Sequence, residues 1–349
     1  MILNGSEEYK QDVITLWKTA FPKDSEDFVQ FYFEKKYSHE NTLLHVEDGK
    51  ILSSLQMLPY KMKYYQSFVN TSYISGAATS PQCRNQGLMH RLLTYALQEM
   101  KKKGDILTTL IPQEPWLIDY YKKLGYAPCF EQELTAVNPE DYPSFPDRLR
   151  FKEYQISDLK KVYFYHRKIL ENQNIGIQKS LHDFAVMVEE CQRFEGEFYV
   201  LIDRGSTAGI GFCFFADDKI ILKDFAAKNE YYRQYFLSKL FQKSHRQIEI
   251  SHSTNGMARI LDAHKLLQLF AETHPHLDFS VKVNDEQIAD NNFTFAVANG
   301  NIISRLSNTA DFELSIGELT QLLLGRTDLL GEKYALFPQQ RPYMSLMLE

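Results

Sequence analysis

The stretch "SPQCRNQGLMHRLL", Ser80 to Leu93, decides how the chain is read. A proline, an arginine, two polar residues and one glycine run into Leu88, Met89, Leu92 and Leu93, and the same rhythm continues through Ala96, Leu97 and Met100. That spacing predicts one buried face of a helix reaching Lys103, with Gly104 where a C-terminal cap belongs. Upstream, "NTSYISGAATS" reads as a strand. A strand that enters a helix through a loop makes an anion site, because the first helical amides have no intrahelical acceptor and the helix dipole adds partial positive charge. A residue without Cβ lets a phosphate approach those amides, one use for Gly87, and Arg84 adds charge at the rim. Taken alone, Arg-x-x-Gly is more often a plain loop with a solvated charge.

Outward from this stretch the pattern alternates. Ser6 to Phe21 reads as a helix burying Val13, Ile14, Trp17 and Phe21, and Ser25 starts a second with Phe28, Val29, Tyr32 and Phe33 inward. "TLLHVED" and "KILSSLQMLPYKMKYY" read as strands joined by Asp48-Gly49, a hairpin signal. After the central helix come a short buried strand, "ILTTLI", and a helix, "EPWLIDYYKKLGY", with Pro115 in its first turn and Gly125 at its end. "CFEQELTAV" reads as one closing strand. The proline-rich "NPEDYPSFPDR" then marks a boundary. Beyond residue 150 the same order recurs in a degenerate copy: two helices, the strands "EFYVLID", "AGIGFCFFA" and "KIILKDFAA", the helix "EYYRQYFLSKLFQKSH" and the strand "QIEISHS". A third style begins near Met257, with the helix "MARILDAHKLLQLFA", three antiparallel-type strands and the helix "ELSIGELTQLLLG". The expected fold class is α/β (α+β), with mixed central sheets flanked by helices, and the expected domains are 1–140, 148–255 and 256–349.

Composition narrows the function. The 349 residues carry a net charge of −6, 44% hydrophobic and 13% aromatic residues. That suffices for packed cores and argues against a duplex nucleic-acid binder, which needs a basic face. Four scattered cysteines show no paired spacing, so no metal site is assigned. No apolar run is long enough to span a bilayer, and the opening residues do not resemble a leader, so the chain reads as soluble and cytoplasmic.

The residues "ATSPQCRNQGLMHRLLTYAL" and "YYKKLGY" resemble the GNAT acyltransferase superfamily, strongly over Ser75 to Tyr126. Met89 stands where many members have glycine or alanine, and a bulky residue there is common in the Eis-like (enhanced intracellular survival) branch. That resemblance implies an acetyl-CoA-dependent N-acetyltransferase domain, then a second GNAT-like domain without the cofactor motif, then a sterol-carrier-protein-2-like (SCP2-like) domain. In the second copy the corresponding junction is "AAKNEYYRQYF", without a glycine at Asn229 or Glu230.

The resemblance also implies roles. The amides of Asn85, Gln86, Gly87, Leu88 and Met89, with Arg84, would hold the pyrophosphate of acetyl-CoA. Main-chain groups of Ala77, Ala78 and Thr79 would meet its pantetheine and thioester oxygen. Tyr121 would be the general acid for the leaving thiolate, since a phenol stays protonated at neutral pH, with Tyr120 as its competitor. Only one of the two, about 100° apart on a helix, is expected to face the thioester. Trp116 is either an acceptor-pocket residue or a helix anchor. The branch is thought to use its terminal carboxylate as base, here Glu349, delivered by the apolar tail "RPYMSLMLE"; members often end in an aromatic residue instead. His90 reads as a surface residue. The implied partner is an amine-bearing small molecule or a peptide lysine, and the branch often forms homo-oligomers. The alternative reading is a non-catalytic acyl-CoA or lipid-binding protein.

Overall fold

Asp48 and Gly49 both take left-handed backbone, with φ 49° and 74°, and reverse the chain as the Asp-Gly pair predicts. They join two strands in a computed structural model that describes residues 1–138, 142, 145, 149–154, 159–194, 196–305 and 309–346. Along the first 130 residues lie β1 (Ile2–Asn4), β2 (Thr42–Glu47), β3 (Lys50–Tyr64), β4 (Ser67–Thr79), β5 (Leu107–Leu110) and β6 (Ala127–Phe130). The helices among them are α1 (Lys10–Ala20), α2 (Glu26–Lys35), α3 (Leu88–Lys102) and α4 (Trp116–Lys122). Ser25 caps α2 by accepting from the Phe28 amide. α3 buries Leu88, Leu92, Leu93, Ala96, Leu97 and Met100, the face its periodicity predicts.

The chain divides into two compact units, Met1–Cys129 with Asn255–Pro342, and Phe130–Thr254 with the segment from Tyr343 onward. The expected third part, from residue 256, falls with the first unit in this division. The cause is the strand Gly256–Ile260, which lies in the first sheet: the order is β1, β2, β3, β4, β5, Gly256–Ile260, β6. It runs antiparallel to β5, Met257 opposite Leu110 and Ile260 opposite Leu107. Sequence reading placed these residues in a helix. All five are buried, so the run has no period to separate strand from helix. The helix itself, Ala263–Thr273, starts only after Asp262, whose side chain accepts from the Lys265 amide. The rest of this segment forms a second sheet, in the order Asn301–Arg305, Thr294–Ala298, Phe279–Asn284, Phe312–Ser315. The last strand pairs in parallel with Phe279–Asn284, and sequence reading missed it.

"CFEQELTAV" is likewise two strands. β6 stays with the first sheet, while Leu134–Val137 pairs antiparallel with Gln247–Ser251 in the second unit, after the exposed Glu131, Gln132 and Glu133. Most of the proline-rich boundary stretch lies outside the described residues.

The second unit repeats the plan. Its sheet runs Leu134–Val137, Gln247–Ser251, Lys219–Ala227, Ser206–Phe215, Gly196–Asp203, Arg150–Glu153. Lys219–Ala227 and Gln247–Ser251 are the parallel pair. A bulge in Lys219–Ala227 puts Asp224 at φ 47°, uncommon for a residue with a side chain. The Asp224 carboxylate is buried, with Lys179 Nζ at 3.2 Å and His166 Nε2 at 3.9 Å, both also buried.

Burial alone would raise the Asp224 carboxyl, but Lys179 and His166 hold it at about 2, below its ordinary 3.8. Burial pushes His166 below its ordinary 6.5. Both folded-state values lie below the unfolded ones, so the folded unit binds fewer protons and loses stability as pH falls. His166 acts first, from below about pH 6.5, and Asp224 below about pH 4. We therefore expect the urea midpoint of the second unit to drop between pH 7 and pH 5, its unfolding free energy falling by up to about 1.4 kcal/mol per pH unit. His166→Gln should remove that slope. Equal midpoints at the two pH values in the natural chain would contradict this assignment.

Candidate active site

Strands β4 and β5 pair in parallel only over Thr71–Tyr73 and Leu107–Thr109, although β4 runs on to Thr79. Along its other edge β4 stays with β3 as far as Thr79 opposite Ser53. The register shifts between Ser54–Ala78 and Gln56–Ser75, so Gly76 and Ala77 together face Leu55 in a β-bulge. Gly76 has φ 56°, and a Cβ built there would stand 2.3 Å from the Trp17 ring. Only glycine lets the strand bend under that indole. Trp17 is fixed in turn by donating from Nε1 to Asp24 at 2.8 Å. Tyr32 Oη lies 2.6 Å from Gln56 Oε1 and 2.8 Å from Ser75 Oγ, which pins the strand below the bulge.

The parting of β4 from β5 opens a cleft of about 510 Å³. One wall is Ala77, Ala78 and Thr79 of β4. The floor is the start of α3, where Gly87 is the N-cap at φ 73° and Asn85 is also left-handed at φ 62°. No side chain caps this end, and the first intrahelical bond is Arg91 N to Gly87 O. The amides of Leu88, Met89 and His90 therefore have no intrahelical acceptor and are left for a ligand. A Cβ built at Gly87 meets nothing within 4 Å. Its glycine is required by the left-handed backbone rather than by crowding within the chain. Arg84, Asn85, Leu88 and Met89 also line the cleft. Arg84 Nε reaches the Thr79 carbonyl at 3.4 Å. Gln86 is not in the lining; its side chain donates to the Gln82 carbonyl at 3.4 Å. Cys83 lies in the lining as a free, half-buried thiol, and His90, expected at the surface, is half-buried there too.

The opposite wall comes from α4. Tyr120 and Tyr121 both line the cleft, their ring centroids 5.4 Å apart, so adjacency on the helix does not exclude either from it. They differ in environment. Tyr121 is 7% exposed and packs 5.9 Å from Tyr126, while Tyr120 is half-buried. Burial pushes both phenols up, Tyr120 to about 12 and Tyr121 further. Among the described residues the Tyr121 hydroxyl has no protein hydrogen-bond partner. Trp116 is 67% exposed and lines the cleft.

Sequence reasoning missed one side of the cleft: Ala20, Phe21, Pro22 and Lys23, the turn between α1 and α2. The periodicity of α1 puts Phe21 on its buried face, but Phe21 is the helix C-cap, at φ −122° and ψ 69°. The signal was the helix-breaking "FPKD" between two amphipathic segments.

Glu349 lies outside the described residues. The preceding tail packs within the second unit: Met344 is fully buried, its carbonyl accepts from Thr254 N at 2.9 Å, and its amide donates to Ser253 Oγ at 3.2 Å. Among the described residues no cluster of His, Cys, Asp or Glu could hold a metal, and no helix is long and apolar enough to cross a membrane.

With this geometry in view, residues 2–129 match the family model of the acetyltransferase (GNAT) domain. The fold, the cleft and this match define an acyltransferase domain of the GNAT class. An S-alkylcysteine N-acetyltransferase from Bacillus subtilis (strain 168) is 32% identical over 101 residues, which is 27% of this chain and 56% of that protein. The chain thus spans about half the length of this curated relative. A GCN5-related N-acetyltransferase from Anabaena variabilis superposes with a TM-score of 0.79 at 16% identity, covering 99% of this chain and 98% of the other. Eis1 from Mycobacterium abscessus gives 0.74 at 13% identity over 95% and 92%. At these identities the two structures establish the fold.

The free amides at α3 yield a prediction about Gly87. Gly87→Gln forces a side chain into left-handed backbone, costing about 1–2 kcal/mol, and fills the open space over the amides. The strain lowers stability in both free and bound protein, whereas the side chain over the amides opposes the phosphates, so we expect acetyl-CoA affinity by calorimetry to fall at least about tenfold. Unchanged affinity in a folded variant would show that the phosphates bind elsewhere.

Proposed function

We propose that the chain is an N-acetyltransferase that moves an acetyl group from acetyl-CoA to the amine of a small molecule. The observation that carries the reading is the buried Tyr121 phenol, unpartnered within the chain, in the same cleft as the uncapped amides of α3. Bound acetyl-CoA supplies the activated thioester. Arg84 and the amides of Asn85 to Met89 suit its pyrophosphate, with Gln86 contributing main chain only. The β4 edge at Ala77, Ala78 and Thr79 has small side chains and lies beyond the end of the β5 pairing, so its main-chain groups are free to hold the pantetheine arm and polarise a carbonyl. Tyr121 holds its proton because burial disfavours the phenolate, and it is placed to donate to a leaving thiolate.

The remaining lining describes the acceptor. Phe21, Trp116 and Tyr120 give the cleft an aromatic side. This suits a small amine with an apolar body, the type of acceptor named for the Bacillus subtilis relative. We place the whole chain in the Eis-like branch on its likeness to Eis1, and we read the sheet of residues 279–315 with its two helices as the SCP2-like part.

Thiol release from acetyl-CoA, followed with a panel of S-alkylated amino acids, polyamines, aminoglycosides and lysine peptides, tests the reading. Turnover should be best with an apolar small amine. Tight CoA binding without turnover on any acceptor would favour a non-catalytic binding protein. Tyr121→Phe should lower kcat by about 10²–10⁴ while leaving acetyl-CoA affinity unchanged. Near-full turnover in that variant would remove Tyr121 from the acid role.

A further inference from the structure

Helix α4 has seven residues, too few to hold its own orientation, and its first residue, Trp116, is largely exposed. Leu117 and Ile118 pack on the core, and hydrogen bonds fix its C-terminal end. The Tyr121 carbonyl accepts from the amides of Leu124 at 2.9 Å and Tyr126 at 3.2 Å, and Gly125 turns the chain at φ 81°. The carbonyl of Leu124, three residues on, is gripped by Arg259 from the strand Gly256–Ile260. Arg259 Nε donates to it at 2.6 Å, and Nη1 donates to the Ile260 carbonyl at 2.7 Å. Contact is so close that a Cβ on Gly125 would stand 3.1 Å from Nε and 2.6 Å from Ile316.

Arg259 is wholly buried, an expensive place for a guanidinium unless every donor is engaged. Its Nη2 donates to Asp285 Oδ1 at 2.6 Å. That carboxylate also accepts from the amides of Gln287 and Ile288 and from Asn291 Nδ2. The loop so anchored reaches α3 as well. Thr94 Oγ1 donates to Gln287 Oε1 at 3.0 Å, Gln98 Nε2 donates to the Gln287 carbonyl at 2.8 Å, and Lys101 pairs with Asp290 at 3.0 Å. One loop therefore holds the helix whose N-terminus forms the cleft floor and, through Arg259, the end of the helix that carries Tyr121.

We propose that Arg259 is a positioning residue: with Asp285 and the loop to Asp290 it braces α4 against α3 and sets where the Tyr121 hydroxyl stands in the cleft. The inference rests on Tyr121 being the general acid. It assigns the segment after residue 255 a part in the reaction of the first unit.

The test is a double-mutant cycle on the full chain, with acetyl-CoA and the best amine of the panel. Arg259→Lys keeps the charge and loses the fork. It should lower kcat about tenfold or more, since displacement near 1 Å costs up to about 10², with CoA affinity held within twofold. In the Tyr121→Phe background the same change should cost nothing further, because the group it positions is gone. If Arg259→Lys fails to fold, Asp285→Asn, which retains an oxygen toward Nη2, is read in the same cycle. Full turnover, or losses that multiply in the double variant, overturns the positioning role. Should Tyr121→Phe alone run at full speed, the acid assignment and this inference both fail. A slow Tyr121→Phe with independent losses overturns this inference alone.

Discussion

The first unit depends on β4 leaving β5 after Tyr73 while staying paired to β3 as far as Thr79. A strand cannot expose fresh main chain inside a sheet without something to bend it and something to hold the bend. Gly76 supplies the bend, Trp17 lies against it, and the Tyr32–Gln56–Ser75 contacts hold the strand below. The second unit shows what happens when the same place is built differently. Its bulge carries Asp224 where the first has Gly76, with His166 and Lys179 packed on it. A slot that exposes main chain in one unit is filled by buried charge in the other. The corresponding helix start carries Asn229 and Glu230 and no glycine, and the Asn229 side chain accepts from the Tyr232 amide.

The two walls of the cleft are stabilised in unlike ways. α3 is long and amphipathic, and its apolar face anchors it in the core. α4 is short and reaches the cleft with Tyr120, Tyr121 and Trp116, while Leu117 and Ile118 pack on the core and hydrogen bonds fix its C-terminal end. Such an element is positioned by its neighbours or not at all. That is why the buried guanidinium beneath it bears on chemistry as well as on stability.

How much of this was legible in the sequence depends on the range of the interactions. Gly87, the α3 face and the Asp48-Gly49 hairpin are local, and residue spacing revealed them. Ala77, Ala78, Arg84, Asn85 and Tyr121 lie together in the cleft as the resemblance implied, because strand, loop and helix follow one another along the chain. The Phe21–Lys23 wall was hidden because its residues join the cleft from about 60 positions away in the chain, with no periodicity to advertise it. Gly256–Ile260 was hidden for a different reason. A strand buried on both faces reads as a plain apolar run, and the helix that follows it lent the run a false period. The one charged residue in that strand, Arg259, is wholly buried.

The place of Gly256–Ile260 between β5 and β6 makes the first unit discontinuous in the chain. During synthesis β5 emerges with one edge unpaired, and the strand that covers it follows only after the entire second unit. At ordinary translation rates that interval of about 145 residues lasts roughly 7–29 s. The second unit, whose sheet is formed from residues 134–251, has the opportunity to fold first. The nascent first unit must meanwhile wait with an apolar strand edge open to wrong partners. Recovery of this protein from the ribosome is thus governed by a late, long-range closure. Slowing elongation past residue 129 would lengthen the time in which β5 can aggregate, and holdase chaperones that shield strand edges would act in that window.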